Sequence, residues 1–332
     1  MENKAYTKLL SICIPSYNRG HRALTLVRSI LAMKCISERD DIEIILSNNG
    51  SSLHTEEYDE IESISDERLK YNRFEENILY WRNYNEIIKM SEAHWVLLVS
   101  DEDSLDENVL NDFINYLDTL PGTGMIKTGT SVQYRDFPSV YAKAGDEALK
   151  AFYLTGNYIS GTVYNREYVT DDLIDGLKKL YEGDEGYYYY PHLFVEAYVL
   201  NIADFCFYDK ILVIEGEDEG DIPRAESVSV PVFASWQTRV KQLGGYFKLI
   251  KDLGIDDDRK QLMFMMAVCK TISLIALVKD RYISAGEDWN SIYVTSGNAI
   301  LDEVRKCGIE VINNNMEPYL EVTADFIRED LV

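Results

Sequence analysis

The feature that most constrains this fold is a pattern repeated through the first hundred residues: a short apolar run of β type, a polar break, then an amphipathic stretch with helical spacing. LLSICI (9–14), IEIIL (42–46), LKYNRF (69–74) and WVLLV (95–99) are the runs, and residues 20–33 and 76–91 are the longest amphipathic stretches between them. Strands that alternate with crossover helices predict an α/β fold with a mostly parallel sheet flanked by helices. Such a sheet takes its ligand outside the carboxyl ends of its strands. Three of the runs end there in polar loops, PSYNRG (15–20), SNNGSS (47–52) and SDED (100–103). Each has an ordinary reading: Pro15 and Asn18 turn the chain, Asn49-Gly50 is a turn dipeptide, and acids before a helix cap it. Their coincidence on one sheet edge points to a site.

Composition narrows the partners. With 332 residues and 46% apolar content the chain can bury a sizeable core. Its 33 basic and 57 acidic residues give a net charge of −24, which repels phosphate backbones and argues against nucleic acid. The N-terminal segment has no apolar stretch followed by a small-residue cleavage site, so a cytoplasmic location is expected. Five scattered cysteines without a CxxC suggest neither a disulfide framework nor a zinc site. The longest apolar run, LMFMMAVCKTISLIALV (262–278), is broken by Lys270, Thr271 and Ser273 and reads as a buried helix rather than a membrane span.

Beyond WVLLV, Asp106 is placed to cap a helix that stops at Pro121 and Gly122. GMIKTG (124–129) and FCFYDKILVI (205–214) are strand candidates; EYVTDDLIDGLKKL (167–180) and HLFVEAYVLNI (192–202) are helix candidates. The acidic EGEDEGDIPRAES (215–227) reads as a loop, and from Pro231 onward the periodicity is helical.

Neither a dinucleotide fingerprint nor a P-loop follows the first strand, so phosphate must be handled in another way. Asp101 and Asp103, one residue apart at a strand end, suit a hard divalent cation that leaves positions free for diphosphate oxygens and water. In order and spacing, IPSYNR (14–19), SNNGSS, ENILYWRN (76–83) and VSDED (99–103) resemble the family 2 glycosyltransferases of GT-A fold, most closely the bacterial O-antigen and capsule sugar transferases of the abequosyltransferase kind. The likeness covers roughly residues 8–230 and is specific in its first hundred.

The resemblance implies a hexosyl-type transferase that moves sugar from a nucleotide-diphosphate donor, by inversion, to a glycan or lipid-linked acceptor in surface polysaccharide synthesis. It divides the chain into a catalytic domain over 1–230, with a nucleotide half (1–105) and an acceptor half with a lid loop (106–230), followed by a helical region over 231–332. Pro15, Tyr17 and Arg19 would border the base and ribose. Asn48 stands where the family usually has an Asp that accepts from the base; Asn77 and Asn83 fit a pattern near the donor, with Leu79 in place of a glycine. SDED matches the DXD motif: Asp103 would ligate Mn2+ or Mg2+, Asp101 would reach the ribose or a metal-bound water, and Glu102 would stand by. Arg224, with Ser227 and Ser229, resembles the loop that folds over the diphosphate, and Trp236 belongs with that lid.

An inverting displacement needs a general base. The position expected for it falls in YYYYPHLFVEA, at His192, with Glu196 a turn further and Asp184 and Glu185 as upstream rivals. Tyr187 to Tyr190 read as core or as a wall for sugar rings. The helical tail offers a surface for a homodimer or for docking at the inner face of a membrane. Two other readings stand beside this one: a nucleotidyltransferase, which would need a glycine- and lysine-rich loop that PSYNRGHR lacks, and a nucleotide-sugar-binding relative without catalysis.

Overall fold

The computed structural model describes residues 6–117, 119–120, 122–131, 141–154, 158–216 and 230–307. By contact the chain forms two compact units. The first comprises 1–152, 156–178 and 198–221, and the second 153–155, 179–197 and 222–332.

The first unit is built on a sheet of nine strands among the described residues: β1 (Lys8–Ser16), β2 (Ile42–Asn48), β3 (Leu69–Arg73), β4 (Ala93–Leu98), β5 (Ser104–Leu105), β6 (Thr123–Thr130), β7 (Tyr141–Ala142), β8 (Thr162–Asn165) and β9 (Asp204–Ile214). Their order is β3-β2-β1-β4-β8-β6-β9-β5, and β7 pairs with the other part of β9. The nucleotide half, β3-β2-β1-β4, is parallel throughout, as the alternation of strands and helices requires. The second half is mixed: β6 and β9 are parallel, while β8 runs antiparallel between β4 and β6. The sequence hid β8 because TVYN is short and lies between a glycine turn and a helix, without the flanking periodicity that marks the others.

Every residue of β2 is buried, as expected for a strand covered by helices on both faces. On one face Leu10, Ile12 and Ile14 pack with Ile42, Ile44 and Leu46 against Leu26, Val27 and Ile30 of the helix Gly20–Ala32. The helix Tyr80–Lys89 serves the other face, where Cys13 Sγ lies 3.8 Å from the Ile87 carbonyl. A slip of one residue would exchange these sets, so the packing fixes the register that puts Ser16, Asn48 and Leu98 at the same edge.

The second unit is helical. Its helices include Glu185–Tyr189, Trp236–Asp252, Asp257–Ala276, Lys279–Ser284 and Trp289–Cys307, together with the first half of Pro191–Ile202. Ser235 and Asp256 cap two of them, accepting from the Thr238 and Arg259 N–H groups. Tyr181, Tyr187, Phe194 and Tyr246 form an aromatic core, so Tyr187 is core, whereas Tyr188 is exposed.

The apolar run at 262–278 is buried on one face only, through Met263, Phe264, Ala267, Val268, Thr271 and Ile275. The Leu277 side chain is 79% exposed. Among the described residues, Asp257–Ser284 is the one helical stretch long and apolar enough to cross a membrane, and about a third of its most apolar window is buried.

Candidate functional site

Three strand-end loops interlock at the edge of the first unit. Asn18, at φ 58°, turns PSYNRG so that its side-chain oxygen accepts from the Ser52 and Leu53 N–H groups, while its own N–H donates to Ser51 Oγ. That ties the β1 loop to the β2 loop. Ser16 Oγ donates to Asp101 Oδ2 at 2.6 Å, and Arg19 reaches Asp101 Oδ1 at 3.1 Å and Glu102 at 2.6 Å. That ties the β1 loop to the acids after β4. Arg22 lies 3.6 Å from Glu102, which therefore anchors two guanidinium groups rather than standing by.

The expected donor-side residues fall into two groups. Pro15 is the next-to-last residue of β1, and Tyr17 follows the strand and is exposed. Asn48, Asn77 and Asn83 spend their amides on the protein: Asn48 accepts from the Ser51 N–H and donates to Tyr71, Asn77 accepts from Asn49 and from the Leu79 N–H, and Asn83 holds Ser47 from both ends of its amide. Gly50, at φ +66°, lies so close to the Glu76 carbonyl that a Cβ would meet it at 2.1 Å, which brings the segment of Asn77 against the β2 loop. Leu79 adopts φ 79°, ψ 153°, a region that a glycine occupies without strain.

Asp103 is 4% exposed and is held by donors from remote segments. The Tyr158 hydroxyl lies 2.6 Å from both of its oxygens. Ser160 Oγ donates to Oδ2 while accepting from the Ser100 N–H, and the Gly216 N–H reaches Oδ1 at 3.2 Å. Lys127 Nζ fixes the segment that carries the two hydroxyls, donating to the Tyr158 and Ser160 carbonyls at 2.8 Å. The pairing of β5 with the end of β9 brings Gly216 to the Glu102 carbonyl, where any Cβ would clash at 1.8 Å.

Negative charge is concentrated here. Burial raises the pKa of Asp101 against the pull of Arg19. Burial also raises Glu102, which Asp101 and Asp103 push further, and it raises Glu215, with Asp103 adding to the effect. Such a concentration of buried acid favours a cation. Among the described residues no three His, Cys, Asp or Glu side chains gather as a metal cluster. The donor set instead suits a cation held by one carboxylate and completed by phosphate oxygens and water, the common arrangement for Mg2+.

The residues expected to supply the base lie in the second unit. His192 and Glu196 are 2% and 1% exposed, one helical turn apart on Pro191–Ile202. Asp184 accepts from the Gly186 N–H and caps the helix Glu185–Tyr189, where burial raises its pKa. Gly245 makes room for that carboxylate, since a Cβ would meet Asp184 Oδ1 at 1.9 Å. Glu185 lies in the first turn of the same helix, 3.7 Å from Lys241. Trp236 begins a helix, its N–H donating to Tyr282. Arg224, Ser227 and Ser229 lie outside the described residues.

Sequence reading missed Ser16, Lys127, Tyr158, Ser160 and Gly216, and also Tyr58, whose hydroxyl meets Ser16 Oγ at 2.5 Å and accepts from the Arg19 N–H at 3.2 Å. Ser16 lies inside PSYNRG, but none of the others carries a local signal, since each acts across 30 or more residues.

A strand-edge junction of acids on a mixed sheet flanked by helices, with a helical region after it, defines a GT-A-like glycosyltransferase fold. The model of glycosyl transferase family 2 matches residues 11–183, and the chain belongs to that family. The crystal structure of S. aureus TarS 1-349 in complex with UDP-GlcNAc is similar at a TM-score of 0.57 and 13% identity, over 90% of each chain. The mannosyltransferase PcManGT from Pyrobaculum calidifontis, in complex with GDP-Man and Mn2+, is similar at a TM-score of 0.50 and 11% identity, over 98% of this chain and 90% of that one. At these identities the likeness is one of fold. A comparison with curated proteins finds no match.

Proposed function

We propose that this glycosyltransferase takes a nucleotide-diphosphate sugar as donor and transfers the sugar with inversion to a hydroxyl of a glycan or lipid-linked saccharide, in surface polysaccharide synthesis of the O-antigen or capsule type. The observation that carries the reading is the junction itself: Asp103 buried among donors from two remote segments, beside an Asp101 that the end of β1 and the loop after it grip through Ser16 and Arg19. The complexes of TarS with UDP-GlcNAc and of PcManGT with GDP-Man and Mn2+ add support.

Asp103 would hold a divalent cation, Mn2+ or Mg2+, and Asp101 would face the ribose or a water on that cation. When bound, the cation supplies Lewis-acid neutralisation of the departing diphosphate. The chain's own residues do the rest. Arg19, set by Glu102, lines the donor side with Pro15 and Tyr17, while Asn48, Asn77 and Asn83 hold the loops in register. His192 takes the proton of the acceptor hydroxyl as its oxygen bonds to the anomeric carbon and the bond to the diphosphate breaks. Glu196, Asp184 and Glu185 are the alternatives for that role, Arg224 would serve the diphosphate, and the acceptor is met on the cytoplasmic side of a membrane.

A panel of nucleotide sugars with Mn2+ tests this reading. Transfer or hydrolysis from one member, strongly reduced in Asp103→Asn, is expected; full activity of that variant with unchanged metal dependence would sink it.

A further inference from the structure

The most symmetric contact at Asp103 comes from a residue outside the acid motif. The Tyr158 hydroxyl lies 2.6 Å from Oδ1 and 2.6 Å from Oδ2, in the notch between them. A hard cation chelated by one carboxylate occupies that same notch, about 2.0–2.6 Å from both oxygens. A carboxylate offers about four lone-pair positions. Ser160 Oγ meets Oδ2 alone and the Gly216 N–H meets Oδ1 alone, whereas Tyr158 meets both oxygens. These donors are neutral, whereas the neighbouring Asp101 and Glu102 are met by the guanidinium groups of Arg19 and Arg22.

We infer that Tyr158 is a placeholder for the cation. Resting on the reading of Asp103 as metal ligand, its hydroxyl and a divalent cation compete for the same two carboxylate oxygens, so that the hydroxyl must withdraw for the cation to enter. Tyr158 thereby sets how tightly the cation is held. Lys127 grips the backbone carbonyls at Tyr158 and Ser160, so the exchange is a side-chain rotation on a fixed segment. Without the hydroxyl, Asp103 would lie buried and short of a donor, and the metal-free state would rise in energy relative to the loaded one.

The test is a titration of the full-length protein with Mn2+ alone, free ion being read by electron paramagnetic resonance. Tyr158→Phe keeps the ring and removes only the hydroxyl, and it should bind Mn2+ about tenfold more tightly than wild type, the effect of losing one hydrogen bond to a charged group. Asp103→Asn should abolish the binding. If binding depends on Asp103 but Tyr158→Phe binds no more tightly, the placeholder role is overturned while the metal reading survives. If wild type and Asp103→Asn behave alike, the metal reading itself fails. Should Tyr158→Phe not fold, the wild-type protein still decides: adding Mg2+ should shift the tyrosine ultraviolet band to the blue as a phenol leaves its carboxylate acceptor, and an unmoved band refutes the exchange.

Discussion

Asp103 in the first unit and Asp184 in the second are both carboxylates drawn out of water, but they are satisfied in opposite ways. Asp184 accepts from the N–H of Gly186, two residues along its own helix. Asp103 draws its donors from Tyr158, Ser160 and Gly216, from 55 to 113 residues away. A carboxylate satisfied by its own helix is a cap, with a contribution of about 1 kcal/mol to stability. One that recruits remote segments into a shared junction makes local function depend on the whole sheet, and it is at such a junction that a cation or diphosphate finds prearranged partners.

The largest effect that would break this comparison is expected at Asp103. Asp103→Asn should lower transfer by about 100- to 1000-fold, the scale of losing one preorganised charge at a reacting centre, with little change in melting temperature. Asp184→Ala should do the reverse, costing about 1 kcal/mol in urea denaturation while transfer stays within a few-fold of wild type. Reversal of these two outcomes would overturn the proposed role of Asp103 and point to Asp184 instead.

The next effect concerns the base. His192→Ala should lower turnover by about 100-fold, and His192→Asp should restore part of it with a pH profile displaced to the acid side. Equal profiles for wild type and His192→Asp would remove His192 from proton transfer.

A smaller effect is expected at Leu79. Glycine can hold φ 79°, ψ 153° without strain, so Leu79→Gly should stabilise the protein by about 1 kcal/mol in urea denaturation, where a glycine in an ordinary loop would destabilise it.

The smallest is a pH dependence of stability. Burial raises Asp101, Glu102, Asp184 and Glu215, so the folded state holds protons that the unfolded chain has released. Their folding penalty is absent below the ordinary carboxylate range and grows as pH rises through their raised values, so stability falls toward neutrality. Asp41 and Asp66 are lowered by pairing with Arg39 and Arg68, so their contribution is present above the ordinary range and lost only in stronger acid. The melting temperature should therefore peak at mildly acidic pH and drop by about 2 °C toward pH 7.5. A flatter profile in Asp101→Asn would assign part of that drop to the junction.

The sequence by itself determined the parallel half of the sheet, because strands buried on both faces and helices with one apolar face leave local periodicities of two and 3.6 residues. It placed PSYNRG, SNNGSS and SDED on one edge for the same reason, and Asp106 as a cap, which the Val109 N–H now contacts at 3.0 Å. The antiparallel β8 and the short β5 and β7 were not legible, since two to four residues carry no period. Only the tertiary structure decided what meets Asp103 and how Glu102 is used. Tyr158, Ser160 and Gly216 acquire their roles from strand pairing across the sheet, and a hydrogen bond between residues so far apart leaves no trace in either one's neighbours along the chain.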